Sequence, residues 1–190
     1  MIIKEILPFS HQLLKDALTR GRVAVDATAG NGHDTAFLAE HVGEKGHVYA
    51  FDIQQTAIEK TKARLFEKGL HDRATVFHSG HERLQSLIPE NVHGTIQASV
   101  FNLGYLPGGE KDIVTTPETT IAAIKQLLDL SAVGGIIVLV IYHGHPEGEI
   151  ERDHVMTFIE TLPQEHVHVL RYEFMNRNNN PPFLIALEKR

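Results

Sequence analysis

Asp26-Ala27-Thr28-Ala29-Gly30-Asn31-Gly32-His33-Asp34-Thr35 is the point where a buried-strand signal stops and a helical one begins. Before it lies Val23-Ala24-Val25, a short apolar run of strand type, and after it Phe37, Leu38 and Val42 recur at helical spacing. The stretch reads as strand, glycine turn, helix. Gly30 and Gly32 lack a Cβ, so the backbone between them folds tightly and lets a ligand approach amide groups at the head of the following helix. A nucleotide-like ligand suits such a turn.

The details choose among nucleotides. A dinucleotide fingerprint needs three glycines spaced G-x-G-x-x-G, and Thr35 stands where the third should be. Instead Asp26 closes the first strand, and Asp52 closes the next, over 47–52. A carboxylate at the turn repels a pyrophosphate but suits the ammonium of an amino-acid moiety, directly or through water. Asp52 lies about 20 residues on, the distance at which an acid reads ribose hydroxyls. Amino acid plus ribose without phosphate describes S-adenosylmethionine. The alternative is a helix-capping turn in some other α/β protein.

Outward from the turn, residues 9–20 read as a flanking helix capped by Ser10, with Leu13, Leu14, Ala17 and Leu18 on one face. Downstream, helices are expected over 34–42 and 54–68, the latter ended by Gly69, and a third strand over 74–78. A short helix follows Ser79-Gly80-His81-Glu82 and stops at Pro89; 95–102 is the fourth strand. Residues 103–116 form a long Gly- and Pro-containing connection of the kind that is often functional. Thr116-Pro117-Glu118 starts a helix that Gly134-Gly135 is expected to end. Residues 136–142 carry no charge and suit a central strand, 148–162 a helix, and 166–174 with 183–188 an antiparallel pair. Strands alternating with helices and closed by two adjacent strands give an α/β fold: a seven-stranded, mostly parallel sheet with one antiparallel strand and helices on both faces. No linker or repeat divides residues 1–190, so one domain with an N-terminal flanking helix is expected.

Composition narrows the function class. The 190 residues suffice for one well-buried core, and no segment approaches the roughly 18 consecutive apolar residues of a membrane span. The first five residues lack a signal-peptide layout, so a cytoplasmic location is expected. Zero cysteines exclude disulfides and thiolate chemistry. A net charge of −6 argues against a globally basic RNA binder, although thirteen histidines can gain charge beside a polyanion.

In an open α/β sheet the ligand lies beyond the carboxyl ends of the strands, and all five parallel strands end at one crevice. The expected cofactor-binding residues are Asp26, Gly30, Asn31, Gly32, Asp34 and Thr35 in the turn, Asp52, Ile53 and Gln54 after strand two, Ser79, Gly80 and His81 after strand three, and Asn102. Asn102-Leu103-Gly104-Tyr105-Leu106-Pro107 resembles the Asn-Pro-Pro-Tyr box of amino-group methyltransferases, with both prolines replaced. In that box the asparagine carbonyl accepts hydrogen from the target nitrogen and aims its lone pair, while the aromatic ring stacks on a planar substrate. The alternative is that Asn102 caps a strand and Tyr105 packs in its loop. His143 is a candidate proton acceptor. Tyr142-His143-Gly144-His145 lacks the helical pairing or third carboxylate of a metal site, so no metal is expected.

Four segments, 26–35, Phe101-Asn102-Leu103-Gly104-Tyr105-Leu106-Pro107-Gly108-Gly109-Glu110-Lys111, Tyr142-His143-Gly144-His145-Pro146-Glu147-Gly148 and Asn178-Asn179-Asn180-Pro181-Pro182, together look like the small YtqB/MnmM-type class I methyltransferases, also labelled rRNA methylases. The resemblance spans essentially the whole chain. It implies methylation of the amine of 5-aminomethyl-2-thiouridine at the tRNA wobble position; the residue chemistry agrees, with Asn102 orienting that amine, Tyr105 stacking on the substrate, and His143 or bulk water accepting the proton the amine sheds. It also implies Tyr105, Leu106, Pro107, Gly108, Lys111, Tyr142, His145, Arg177 and Asn179 as the substrate-binding set. The expected partner is tRNA at its anticodon region, with no membrane, and self-association into a homodimer stays open. Lys111, Arg152, Arg171 and Arg177 are candidates for a local basic rim. A small-molecule or rRNA N-methyltransferase and a noncatalytic S-adenosylmethionine-binding protein are the competing readings.

Overall fold

The computed structural model describes residues 2–19, 23–104, 115–144 and 146–190. The expectations for Tyr105, Leu106, Pro107, Gly108, Lys111 and His145 fall outside the described residues. Strands β1 (Val23–Asp26), β2 (His47–Asp52), β3 (Ala74–His78), β4 (Ile96–Leu103), β5 (Ser131–Ile141), β6 (Val167–Tyr172) and β7 (Phe183–Lys189) form one sheet in the order β3-β2-β1-β4-β5-β7-β6. The first five are parallel. β7 runs antiparallel to both β5 and β6, so the last hairpin extends the sheet past its parallel part. The chain winds outward from β1 to β3 and then returns to the other side of β1 as β4. That reversal opens a crevice at the carboxyl ends of β1 and β4.

Among the described residues six α-helices cover the sheet: α1 (Ile6–Leu18), α2 (His33–Val42), α3 (Gln55–Glu67), α4 (Leu84–Leu87), α5 (Pro117–Leu130) and α6 (Pro146–Glu160). The central strands are buried on both faces, and their alternate residues feed two cores. Phe101 and Leu103 of β4 and Ile137, Leu139 and Ile141 of β5 join the cluster containing Leu84, Ile124, Leu127 and Val155. Ala98, Val100, Val138 and Val140 face the other way, with Leu14, Leu38 and Leu65. Among the described residues no helix is long and apolar enough to cross a membrane.

Two boundaries differ from the sequence reading for identifiable reasons. Helix α1 starts at Ile6, a turn before Ser10, which is buried inside the helix and is not its cap. Burial of Ile6 anchors the extra turn, and Pro8 is tolerated there because first-turn amides have no intrahelical partner. Gly134-Gly135 does not end α5, which stops at Leu130. The pair instead forms an irregularity inside β5, where pairing with β4 jumps from Ser131 to Ile136. Gly134 has φ of 77°, and a Cβ on Gly135 would come within 2.7 Å of the Ile96 carbonyl oxygen. Strand β5 accordingly begins at Ser131, five residues before the expected 136, and the remaining element ends agree to within about two residues, the usual scatter of helix and strand ends.

Candidate active site

The glycine turn is fastened by its neighbours at several polar groups. Gly30 donates its N–H to Asp52 Oδ2 at 2.8 Å, and the other oxygen of Asp52 accepts from Gln54 N–H at 2.9 Å. Thr61 donates its hydroxyl to the Gly30 carbonyl at 3.2 Å, and Arg64 Nε donates to the Asn31 carbonyl at 2.8 Å. Asp52 therefore joins the exit of β2 to the turn after β1 while staying only half-buried. Its carboxylate retains lone pairs for hydroxyl donors. Gly32 serves packing: with φ of 76°, a Cβ there would sit 2.7 Å from Thr61 Cα in α3. Ile53 is 53% exposed beside this turn, an apolar surface for a flat ligand.

Asp26 lies beneath the turn and is fully buried. Its carboxylate accepts from Thr35 Oγ1 at 2.6 Å and from Thr28 N–H at 3.2 Å. The residue in the third-glycine position is thus a hydroxyl donor to this acid. Burial, and after it the charge of Asp34, pushes the Asp26 pKa up to about 7.

Beyond β3, Ser79 N–H donates to the Asp52 carbonyl at 2.9 Å, and Gly80 leads into the turn holding His81. His81 is buried, with Nδ1 at 2.9 Å from the Ala27 carbonyl oxygen and its ring edge-on to Phe101. A carbonyl only accepts, so Nδ1 carries the hydrogen. Burial lowers its pKa and keeps the ring neutral. Nε2 is then a bare acceptor, buried without a partner among the described residues.

At the end of β4, Asn102 donates its backbone N–H to Thr28 Oγ1 at 2.7 Å and its side-chain Nδ2 to Asp34 Oδ2 at 2.6 Å. Asp34, in the first turn of α2, meets His11 Nε2 of α1 with its other oxygen at 2.6 Å. Tyr142 follows β5, and its pKa is raised by burial and then by the charge of Asp34.

A family model described as "Putative rRNA methylase" matches residues 48–188. The chain is also 35% identical over 195 residues to the chloroplastic tRNA (mnm(5)s(2)U34)-methyltransferase of Arabidopsis thaliana, covering 98% of this chain and 70% of that one. This chain belongs to the rRNA methylase family. A "putative rRNA-methylase" from Clostridium thermocellum superposes with a TM-score of 0.94 at 43% identity, covering 99% of both chains. A "putative methyltransferase" from Streptococcus mutans, solved in complex with SAH, does so at 0.88 and 36%, again over 99% of both. The strand order and reversed last hairpin are those of the class I methyltransferase fold.

In this member of the family, His143 is placed differently from a free base. Its Nε2 lies 3.1 Å from the Pro181 carbonyl oxygen, and Arg152 Nη1 lies 3.2 Å from its Nδ1. The carbonyl requires N–H at Nε2, and the guanidinium requires a lone pair at Nδ1. In this arrangement that lone pair is accepting a hydrogen, and the ring bridges α6 and the Pro181 carbonyl.

Arg152, Arg171, Arg177 and Asn179 do converge, lining a groove of about 630 Å³ with His143 and Phe183. The arginines come from α6, β6 and the loop before β7, a convergence invisible in sequence. Each is held by a carboxylate: Arg152 by Asp153, Arg171 by Glu173, and Arg177 by Glu5 through two bonds of 2.6 and 2.7 Å. Arg177 also lies 3.8 Å over the Phe174 ring and Arg171 4.5 Å over Phe183. Asn179 and Asn180 take φ of 68° and 48°, which asparagine tolerates better than most residues.

Three contributors escaped the sequence reading. His11 sits in α1, outside any motif, and Thr28 carries no sequence signal beyond its place in the turn. Glu151 is buried in α6 and accepts from the hydroxyls of Thr115 and Thr120. Thr115 Oγ1 in turn accepts from Gly104 N–H at 3.1 Å, so Glu151 anchors both described ends flanking residues 105–114. Nothing in Glu149-Ile150-Glu151-Arg152 marks that one acid as buried.

Proposed function

We propose that this chain is an S-adenosylmethionine-dependent tRNA methyltransferase that converts 5-aminomethyl-2-thiouridine at the wobble position to its 5-methylaminomethyl form. The observation that carries the reading is the 35% identity to a tRNA (mnm(5)s(2)U34)-methyltransferase across 98% of the chain. Residues 1–190 act as one catalytic domain, in the cytoplasm with the tRNA.

The residues present fit the cofactor. Asp52 offers acceptor capacity for ribose hydroxyls, and the enclosed ring of His81 supports the segment after β3 from behind. Asp26, Asp34 and Thr35 supply the polar floor for an amino-acid end. Gly30, Asn31, Gly32, Ile53, Gln54, Ser79 and Gly80 complete the lining. When bound, S-adenosylmethionine supplies a methyl group on a positively charged sulfur. Asp52→Ala is expected to weaken SAH binding by about 1.5 to 3 kcal/mol, the range for hydrogen bonds to a charged group. Titration calorimetry checks this, and unchanged affinity would move the ribose elsewhere.

Asn102, which the sequence also places among the cofactor-binding residues, is assigned here to the acceptor amine alone. Its carbonyl oxygen accepts an N–H hydrogen and fixes the direction of the nitrogen lone pair. A primary alkyl amine is protonated near neutral pH and sheds that proton before attack. Water accepts it, since the His143 lone pair is occupied. Tyr105, Leu106, Pro107, Gly108 and Lys111, with Tyr142 and His145, are proposed to hold the nucleoside.

The groove of Arg152, Arg171, Arg177 and Asn179 is proposed to take the anticodon region. Guanidinium planes lying over aromatic rings suit unpaired bases as well as phosphates. Log affinity for tRNA is expected to fall linearly with log salt, and Arg171→Gln to reduce that slope by about 1. A flat salt dependence in filter binding would argue against contact with phosphates. The reaction itself is tested by nucleoside mass spectrometry on hypomodified tRNA incubated with enzyme and cofactor.

A further inference from the structure

Asn102 can present either end of its amide to a substrate, and only one end accepts a hydrogen from an amine. The structure shows what decides between them. An ionised carboxylate is an acceptor only, so the contact of 2.6 Å with Asp34 Oδ2 must be made by Nδ2. Oδ1 is thereby turned away from Asp34, and it has no hydrogen-bond partner among the described residues. The same logic applies on the far side of Asp34. His11 Nε2, 2.6 Å from Oδ1 of that carboxylate, must be an N–H donor.

His11 is itself held in place. Its ring stacks on Phe37 with centroids 4.0 Å apart and planes 10° from parallel, so its N–H lies in a fixed plane. The His11 and Asp34 side chains are 34% and 14% exposed, enough shielding for these bonds to persist. The backbone of Asn102 is pinned separately by the hydroxyl of Thr28. Helix α1, helix α2 and strand β4 thus contribute one donor-acceptor-donor chain, and its last member is the proposed acceptor-binding amide.

We propose that His11 and Asp34 are positioning residues that lock the Asn102 amide with its carbonyl oxygen available to the substrate amine. The inference rests on the reading of Asn102 as the group that meets the acceptor. The N-terminal helix, which by sequence is only a flank, then belongs to the acceptor site. Without His11, Asp34 can turn from Asn102 towards other donors; without Asp34, the amide rotates freely and presents its NH2 group for part of the time.

The test compares His11→Ala, His11→Gln, Asp34→Ala and Asn102→Ala, together with His11→Ala in the Asn102→Ala background. Glutamine can place an N–H near the position of imidazole Nε2. His11→Ala should lower single-turnover kcat about tenfold, and Asp34→Ala on the order of 10²-fold, the scale of a misplaced reacting group. KM for tRNA and SAH affinity in His11→Ala should stay within about twofold, since the effect is on orientation rather than binding. His11→Gln should recover most of the rate. In the Asn102→Ala background His11→Ala should cost nothing further, the sign of two residues acting through one another. The side-chain amide protons of Asn102, followed by NMR, should exchange slowly in the wild type and quickly in Asp34→Ala. A wild-type rate in His11→Ala, a loss that glutamine does not rescue, or a fall in SAH affinity in His11→Ala that matches its fall in kcat would each overturn the relay. If Asn102→Ala itself keeps full single-turnover activity, the acceptor assignment fails instead, so the two failures are distinguishable.

Discussion

Asn102→Ala is expected to bind SAH as the wild type does and to lose methyl transfer by on the order of 10²-fold or more. The backbone N–H of residue 102 still bonds to Thr28 Oγ1, so the end of β4 should keep its position against the turn after β1. What disappears is the side-chain amide and its bond to Asp34. Asp34 keeps His11 as a partner, so no buried charge is stranded. The lost term is orientation of the acceptor nitrogen, which appears in kcat and leaves cofactor binding alone. Were Asn102 merely a strand cap, its removal would lower the melting temperature and leave turnover per folded molecule intact. Melting temperature measured beside single-turnover rate separates the two, and full activity in the variant would leave the acceptor site unassigned.

Asp26→Asn is expected to stabilise the ligand-free protein at pH 8 and to leave it nearly unchanged at pH 4. Asp26 is fully buried, and burial together with Asp34 raises its pKa from 3.8 to about 7. Between those values the folded protein holds a proton that the unfolded chain has released. The stability contributed by that proton is fully present below about pH 4 and is lost as pH rises through about 7. The interval corresponds to about 4 kcal/mol. Asparagine imitates the protonated acid at every pH, so wild type and variant should agree in acid and diverge as pH rises. Urea unfolding across pH 4 to 8 measures the difference, and parallel curves would show that Asp26 ionises normally. The cost is intelligible if the site is built for a cation: an ammonium beside the turn would favour the ionised form.

The glycine turn was legible because its chemistry is local. Strand, Gly30, Gly32 and helix follow one another in sequence, and Asp52 ends the neighbouring parallel strand at a predictable distance. The sheet was legible for the same reason, since buried central strands such as 136–141 are uninterrupted apolar runs. What failed was local chemistry with two uses. A serine that caps helices in general is buried mid-helix at Ser10, and a glycine pair that ends helices in general is a bulge at Gly134-Gly135. The His11–Asp34–Asn102 chain was illegible because its members are 23 and 68 residues apart and meet only across three elements. The partners of His143 were illegible for a related reason. A histidine at the end of a central strand reads as a base, but Arg152 nine residues later folds back onto its lone pair. The arginine convergence likewise depends on a hairpin, β6 to β7, whose position in the sheet carries Arg171 and Arg177 to one groove.

The central claim is chemical, and one measurement addresses it directly. Transfer RNA carrying 5-aminomethyl-2-thiouridine is incubated with the purified protein and S-adenosylmethionine, digested to nucleosides and analysed by mass spectrometry. The account predicts loss of that nucleoside, appearance of an equal amount of its 5-methylaminomethyl form, and no such conversion with Asn102→Ala. An unchanged nucleoside profile with protein that demonstrably binds SAH, or a methyl group recovered on another nucleoside, would contradict it.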